Sequence, residues 1–108
     1  MTYANDSLTP IFAALADPTR RAIFDALMTK PHSVTDLANA SPVSRPAVSQ
    51  HLKVLETAGL VSVSPKGSHR IYAARQDGLH ELRGYLDGMW DESLSAFAAE
   101  ISKRNKNR

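Results

Sequence analysis

Arg45, Ser49 and Lys53 recur at intervals of four residues, with Gln50 beside them, so on a helix they share one face. The chemistry of that face is donation: Arg and Lys meet guanine edges and phosphates, and the Gln carboxamide can meet adenine in a major groove. Lys66, His69 and Arg70 follow as a second basic group. Ser44 stands where its hydroxyl can cap the helix, and Arg45 and Pro46 fall in the first turn, where a missing N–H does no harm. A polar helix face is most often merely solvated, because charged residues cover most protein surface. Another use for this one is argued from the elements around it.

Val48, Leu52 and Leu55, with Val43 just before them, form a buried stripe on the same helix, and Gly59 marks its end. The preceding stretch predicts a short helix from Ser33 to about Ala40, with Ser33 and Asp36 as an acidic variant of the capping pair and Val34, Leu37 and Ala38 as an apolar patch. Ser41 and Pro42 break the chain. Helix, tight turn and a second helix with a polar outer face is the helix-turn-helix arrangement, in which the second helix enters the groove. Leu60 to Ser64 then alternates, PKGSH supplies a turn, and Arg70 to Ala74 returns as a β-hairpin. Lys66, His69 and Arg70 at its tip are placed to meet the DNA backbone or minor groove, against the default that tips are solvated.

Upstream, residues 1–7 carry no pattern and are expected to be a flexible arm. A first helix is predicted from Leu8 or Thr9 to Ala16, with Leu8, Ile11, Phe12 and Leu15 on one face. Asp17 caps a second helix that starts at Pro18 and ends near Lys30, carrying an Ala22, Ile23, Ala26, Leu27 band. Arg20 and Arg21 fall in its first turn, where a cation gains nothing from the helix dipole. Either a structural pairing with an acidic group, the favoured reading, or a phosphate contact would account for one of them. His51 is expected to pack at the edge of the helix-turn-helix, and His32 to be a solvated loop residue.

A last helix, capped by Asp77, is predicted to run to about Ser102. Its stripe of Leu79, Leu82, Leu86, Met89, Trp90, Leu94, Phe97 and Ile101 is longer than a small domain can cover. The excess argues for the same helix of a second subunit, and Gly84 and Gly88 would permit close approach or a bend. A subunit contact through Leu82, Leu86, Met89, Trp90 and Phe97 follows. A space between the first and last helices could hold a small apolar inducer, although Trp90 and Phe97 serve equally as plain interface packing.

The 108 residues, 43% of them hydrophobic, fit one domain over residues 8–102, with a basic, disordered tail at 103–108. Net charge is only +2, but it is polarised. Residues 43–76 hold Arg45, Lys53, Lys66, Arg70 and Arg75 against Glu56, whereas residues 77–102 hold Asp77, Glu81, Asp87, Asp91, Glu92 and Glu100 against Arg83. With no cysteine there is no disulfide, thiolate metal site or thiol switch. No membrane span or signal peptide is expected, and the cytoplasm is the default location. An enzyme has little to work with: there is no Gly-rich phosphate loop and no recognisable nucleophile arrangement.

ALADPTRRAIFDAL at 14–27, SRPAVSQHLKVLETAGLV at 44–61 and KGSHRIY at 66–72 resemble the arsenic-repressor (ArsR) family of small bacterial winged-helix regulators, in a cysteine-free form. The resemblance covers about residues 8–102 and implies a mainly α fold with a small β-hairpin in the order α-α-α-α-β-β-α. It also implies a homodimer joined through first and last helices, which adds Leu8, Ile11 and Phe12 to the subunit contact, and repression of a promoter by occupying a partly palindromic operator. Carried over by motif, the reading positions are Ser44, Arg45, Ser49, Gln50 and Lys53, with Lys66, His69 and Arg70 on the wing. The family's thiolate motif is absent. Its alternative last-helix site would draw on Asp77, His80, Asp91 and Glu92, with one histidine where a zinc site of neutral imidazoles wants more, so no metal and no cofactor is expected. The competing readings are a winged-helix module that binds protein rather than DNA, and a repressor responsive to metal through that last-helix site.

Overall fold

A computed structural model describes residues 6–106. The elements in order are α1 (Leu8–Ala16), α2 (Pro18–Thr29), β1 (His32–Ser33), α3 (Val34–Asn39), α4 (Arg45–Thr57), β2 (Val61–Lys66), β3 (His69–Ala74) and α5 (Gln76–Lys106). The expected helices and hairpin are present, with one addition. A two-residue strand, β1, joins the hairpin in an antiparallel sheet of order β1-β3-β2. Two residues are too few for an alternating pattern to register. His32, expected as a solvated loop residue, is half-buried and stands opposite Tyr72 in that sheet.

The helix boundaries have local causes. The Asp6 carboxylate accepts the amides of Leu8 at 3.1 Å and Thr9 at 3.2 Å, satisfying donors that α1 leaves free. The Ser7 hydroxyl donates to the Glu81 carboxylate on α5. The end of the expected loose arm is thus tied to the domain, and residues 1–5 lie outside those described. Asp17 accepts the Arg20 amide at 3.0 Å, Ser33 that of Asp36 at 3.1 Å and Ser44 that of Ala47 at 3.3 Å, the capping geometry their sequence positions predict. Gly59, at φ +79°, ends α4 in the left-handed conformation that glycine adopts without penalty.

Two expectations for α5 are corrected. It opens at Gln76 rather than on a capping Asp77, and the Asp77 carboxylate instead receives Nε and Nη2 of Arg75 at 3.1 and 2.8 Å. It also continues past Ser102 to Lys106, so residues 103–106 are helical, not disordered; an Arg104–Glu100 pair spans one turn there.

One core holds these elements together. Ile11 and Ala14 of α1, Ile23, Phe24 and Leu27 of α2, Leu37 of α3 and Val48, Leu52 and Leu55 of α4 meet Leu60, Val61 and Tyr72 beneath the sheet. Leu79 and Leu82 pack α5 onto this core, but from residue 83 to residue 105 every residue is exposed. The molecule is therefore a small globular head with a helical rod, 70 Å in its longest dimension.

Candidate nucleic-acid interface

Burial of Val48, Leu52 and Leu55 turns the opposite and flanking faces of α4 outward. Arg45, Ser49, Lys53 and Glu56 form one wall of a cleft of about 510 Å³; His69, Arg70 and Tyr72 of β3 form another, and Ser33, Val34 and Thr35 the end. Ser68 closes it at the hairpin turn, where Gly67 takes φ +62°. Pro65 lies in β2, an edge strand, where a missing N–H breaks no ladder. Ion pairs among the described residues are Arg75–Asp77, Arg83–Asp87 and Arg104–Glu100, all away from the cleft. Arg45, Lys53 and Arg70 thus face open space with their charges unpaired.

Of the residues expected to read or anchor DNA, Arg45, Ser49, Lys53, His69 and Arg70 come together in this cleft. Gln50 instead borders a shallower groove between α1 and α4, with Pro10, Ala13, Val54 and Thr57, and Lys53 stands on the ridge between the two. Lys66 sits opposite His69 at the hairpin tip, outside the cleft wall. Ser44 is held at the start of α4, its oxygen engaged as the helix cap. Sequence reasoning missed Glu56, Thr35 and Ser68. Glu56 had a signal, since it continues the 45, 49, 53 series by one further step of three; Thr35 and Ser68 are brought in by the sheet and had none.

His51 packs at the edge of the helix-turn-helix as expected, half-buried, with Nδ1 3.4 Å from Nη1 of Arg20. Among the described residues, Arg20 and Arg21 pair with no acidic side chain, which corrects the favoured reading. Their guanidiniums donate to carbonyl oxygens of α1: Arg20 to Ala14 at 2.7 Å and Ala13 at 3.2 Å, Arg21 to Leu15 at 3.0 Å. These carbonyls belong to the last turn of α1, which has no intrahelical donors for them. The Arg20 amide lowers the nearby Asp17 carboxyl below its ordinary value, opposed by desolvation and helped by the charge of the Arg20 guanidinium.

Along the expected subunit contact, Phe12, Leu86, Met89, Trp90 and Phe97 are exposed, the last two to 65%. Leu8 and Leu82 are half-buried, Leu82 against its own core. Ile11 is 1% exposed and fills its own subunit's interior, so it has no surface to offer a partner. Tyr85, absent from the expected set, meets Phe12 edge to face with ring centroids 5.6 Å apart. Among the described residues, no three His, Asp or Glu side chains gather in a metal-binding cluster, and no helix is long and apolar enough to cross a membrane.

A helix-turn-helix whose second helix shares a basic cleft with a β-hairpin defines the winged helix-turn-helix class. The model of the arsR family of bacterial regulatory proteins matches residues 17–63, from the start of α2 into β2. The HTH-type transcriptional regulator Rv2034 of Mycobacterium tuberculosis is 53% identical over 88 residues, covering 82% of each chain. The transcriptional repressor SdpR of Bacillus subtilis is 31% identical over 71% of this chain and 90% of its own. Among solved structures, the homodimeric winged helix-turn-helix DNA-binding domain of Mb0332 from Mycobacterium bovis superposes with a TM-score of 0.66, at 25% identity, over 84% of each chain. The chain belongs to the arsR family of bacterial transcriptional regulators, a regulatory rather than enzymatic family.

Proposed function

We infer that this protein is a homodimeric repressor that binds double-stranded DNA sequence-specifically and occupies an operator of its own or a neighbouring operon in the cytoplasm. The observation that carries the reading is the cleft, where the unpaired cations of α4 and β3 face one another across a space open to a nucleic-acid backbone. Arg45, Ser49, Gln50 and Lys53 are assigned to the major groove, and Lys66, His69 and Arg70 to the adjoining backbone or minor groove. Dimerisation supplies two α4 helices and covers the bare apolar side of α5, a patch that a soluble monomer rarely leaves exposed. The repressor SdpR and the homodimeric, DNA-binding Mb0332 domain support the same assignment. A small-molecule inducer seated between α1 and α5 would have to part the Phe12–Tyr85 pair.

A salt titration on random duplex tests the reading. With Lys66 and Arg70 each neutralising a phosphate in both subunits, affinity should fall roughly a hundredfold between 50 and 200 mM salt. A flat response, or no binding in dilute buffer, would favour the protein-binding module instead.

A further inference from the structure

Arg20 stands in the first turn of α2, where its charge is of no use to its own helix. Its guanidinium is spent on two other helices. Nε and Nη2 donate to Ala14 and Ala13 at the C-terminus of α1, the negative end of that helix dipole, while Nη1 approaches Nδ1 of His51 at 3.4 Å in the middle of α4. Arginine carries donors and no acceptor, so in this contact Nδ1 of His51 takes the accepting role. The contact is long, but it joins residues 31 apart in sequence.

The buried stripe of α4 does only part of this job. Burial of Val48, Leu52 and Leu55 decides which face of the helix turns inward, yet apolar attraction is non-directional and leaves a small roll about the axis to be set by directional contacts. A guanidinium anchored at two points on α1 supplies the missing direction. His51 is also the neighbour of Gln50, one of the assigned reading residues. We propose that Arg20 is a positioning residue, a strut that sets the roll of the reading helix α4 against α1 through the ring of His51. This rests on the DNA-reading role assigned to α4. Because α1 carries Phe12 beside the subunit contact, the strut also fixes each reading helix relative to the junction between subunits.

The test uses Arg20→Ala, His51→Leu and their double variant, with His51→Asn as the conservative form, since its Oδ1 falls near the place of Nδ1. In the DNA-free protein, urea unfolding of the four members of the cycle should be non-additive, the double variant losing no more than Arg20→Ala alone. With DNA, each single change should lower the ratio of cognate to random affinity about tenfold, within the range measured for coupled neighbours. The double variant should go no lower, and His51→Asn should keep the wild-type ratio. The salt slope should stay at its wild-type value in all of them. A slope shallower by about one in Arg20→Ala would mean that Arg20 holds a phosphate and would overturn the strut, as would additive unfolding losses or an unchanged ratio. Wild-type protein that binds no duplex would defeat the role given to α4, while the unfolding cycle would still decide whether Arg20 and His51 act as one unit.

Discussion

The amide of Gly78 donates to the carbonyl oxygen of Gly59 at 3.2 Å, joining the first turn of α5 to the turn that ends α4. Beside it the Arg75 amide donates to Leu60 at 2.8 Å. The exit of α4 and the entry of α5 therefore share a backbone seam. No side chain fits there: a Cβ on Gly78 would lie 2.8 Å from the Gly59 oxygen and 2.9 Å from Cδ2 of Leu60.

Gly78→Ala is accordingly expected to destabilise the fold by roughly 1–3 kcal/mol, the usual cost of overpacking. Gly84→Ala, further along the same helix, has nothing within 4 Å of its new methyl group. It should gain up to about 1 kcal/mol of helix propensity. Urea midpoints of the two variants should shift in opposite directions. A loss at Gly84 as well would place the backbone of a second subunit against that position.

The exposed flank of α5 makes a prediction about assembly. Met89→Lys should yield a folded monomer by sedimentation, because the core lies elsewhere, and operator affinity should fall at least a hundredfold as the second reading helix is lost, by the arithmetic of linked sites. Trp90 is the only tryptophan and reports the same event. Its emission should move to longer wavelength in the variant, and in the wild type on dilution through the dimer dissociation constant. A wild-type spectrum independent of concentration, with a monomer mass throughout, would refute the dimer.

Much of this architecture was legible in the residues because each local rule agreed with the next. Ser33, Ser44 and Asp17 announced helix starts, the Val48, Leu52, Leu55 stripe oriented α4, and Gly59 ended it. What stayed hidden depended on partners distant in sequence. β1 exists because Tyr72 is there to pair with His32, not because His-Ser favours a strand. Ile11 and Phe12 are neighbours with similar chemistry, and only the docking of α1 decides that the first is buried and the second exposed. Arg20 could be seen as misplaced in its own helix, but its carbonyl partners could not, since every helix end offers such oxygens. The cleft was half legible: the α4 wall followed from periodicity, whereas Thr35 and Ser68 arrive only once the sheet closes.

The division between reading and anchoring can be measured residue by residue. Arg45 lies on the cleft wall in the first turn of α4, and Lys66 at the hairpin tip. Arg45→Ala should cost about 1–3 kcal/mol on cognate DNA and relax preference at one position per half-site. Lys66→Ala should weaken cognate and random duplex alike and make the salt slope shallower by about one per bound subunit. Identical behaviour of the two variants on both duplexes would erase the distinction.

Acid stability offers a check that involves no DNA. The Asp17 carboxyl is lowered in the fold chiefly by the Arg20 amide, and that of Asp6 chiefly by the Thr9 hydroxyl and then its amide. Unfolding frees both toward the ordinary value near 4 (about 3.9 for aspartate). Over the interval between folded and unfolded values the unfolded chain binds more protons, so stability rises with pH there. The contribution is complete above about pH 4 and is lost as pH falls through the lowered folded values. Asp17→Asn keeps an oxygen to accept the Arg20 amide but has no charge to titrate. Its urea midpoint should therefore fall less steeply than the wild type's between about pH 4 and pH 2, while Asp17→Ala should be weaker at every pH because the cap itself is gone. Parallel curves for wild type and Asp17→Asn would show that the capping bond stabilises α2 without depending on the charge of the carboxylate.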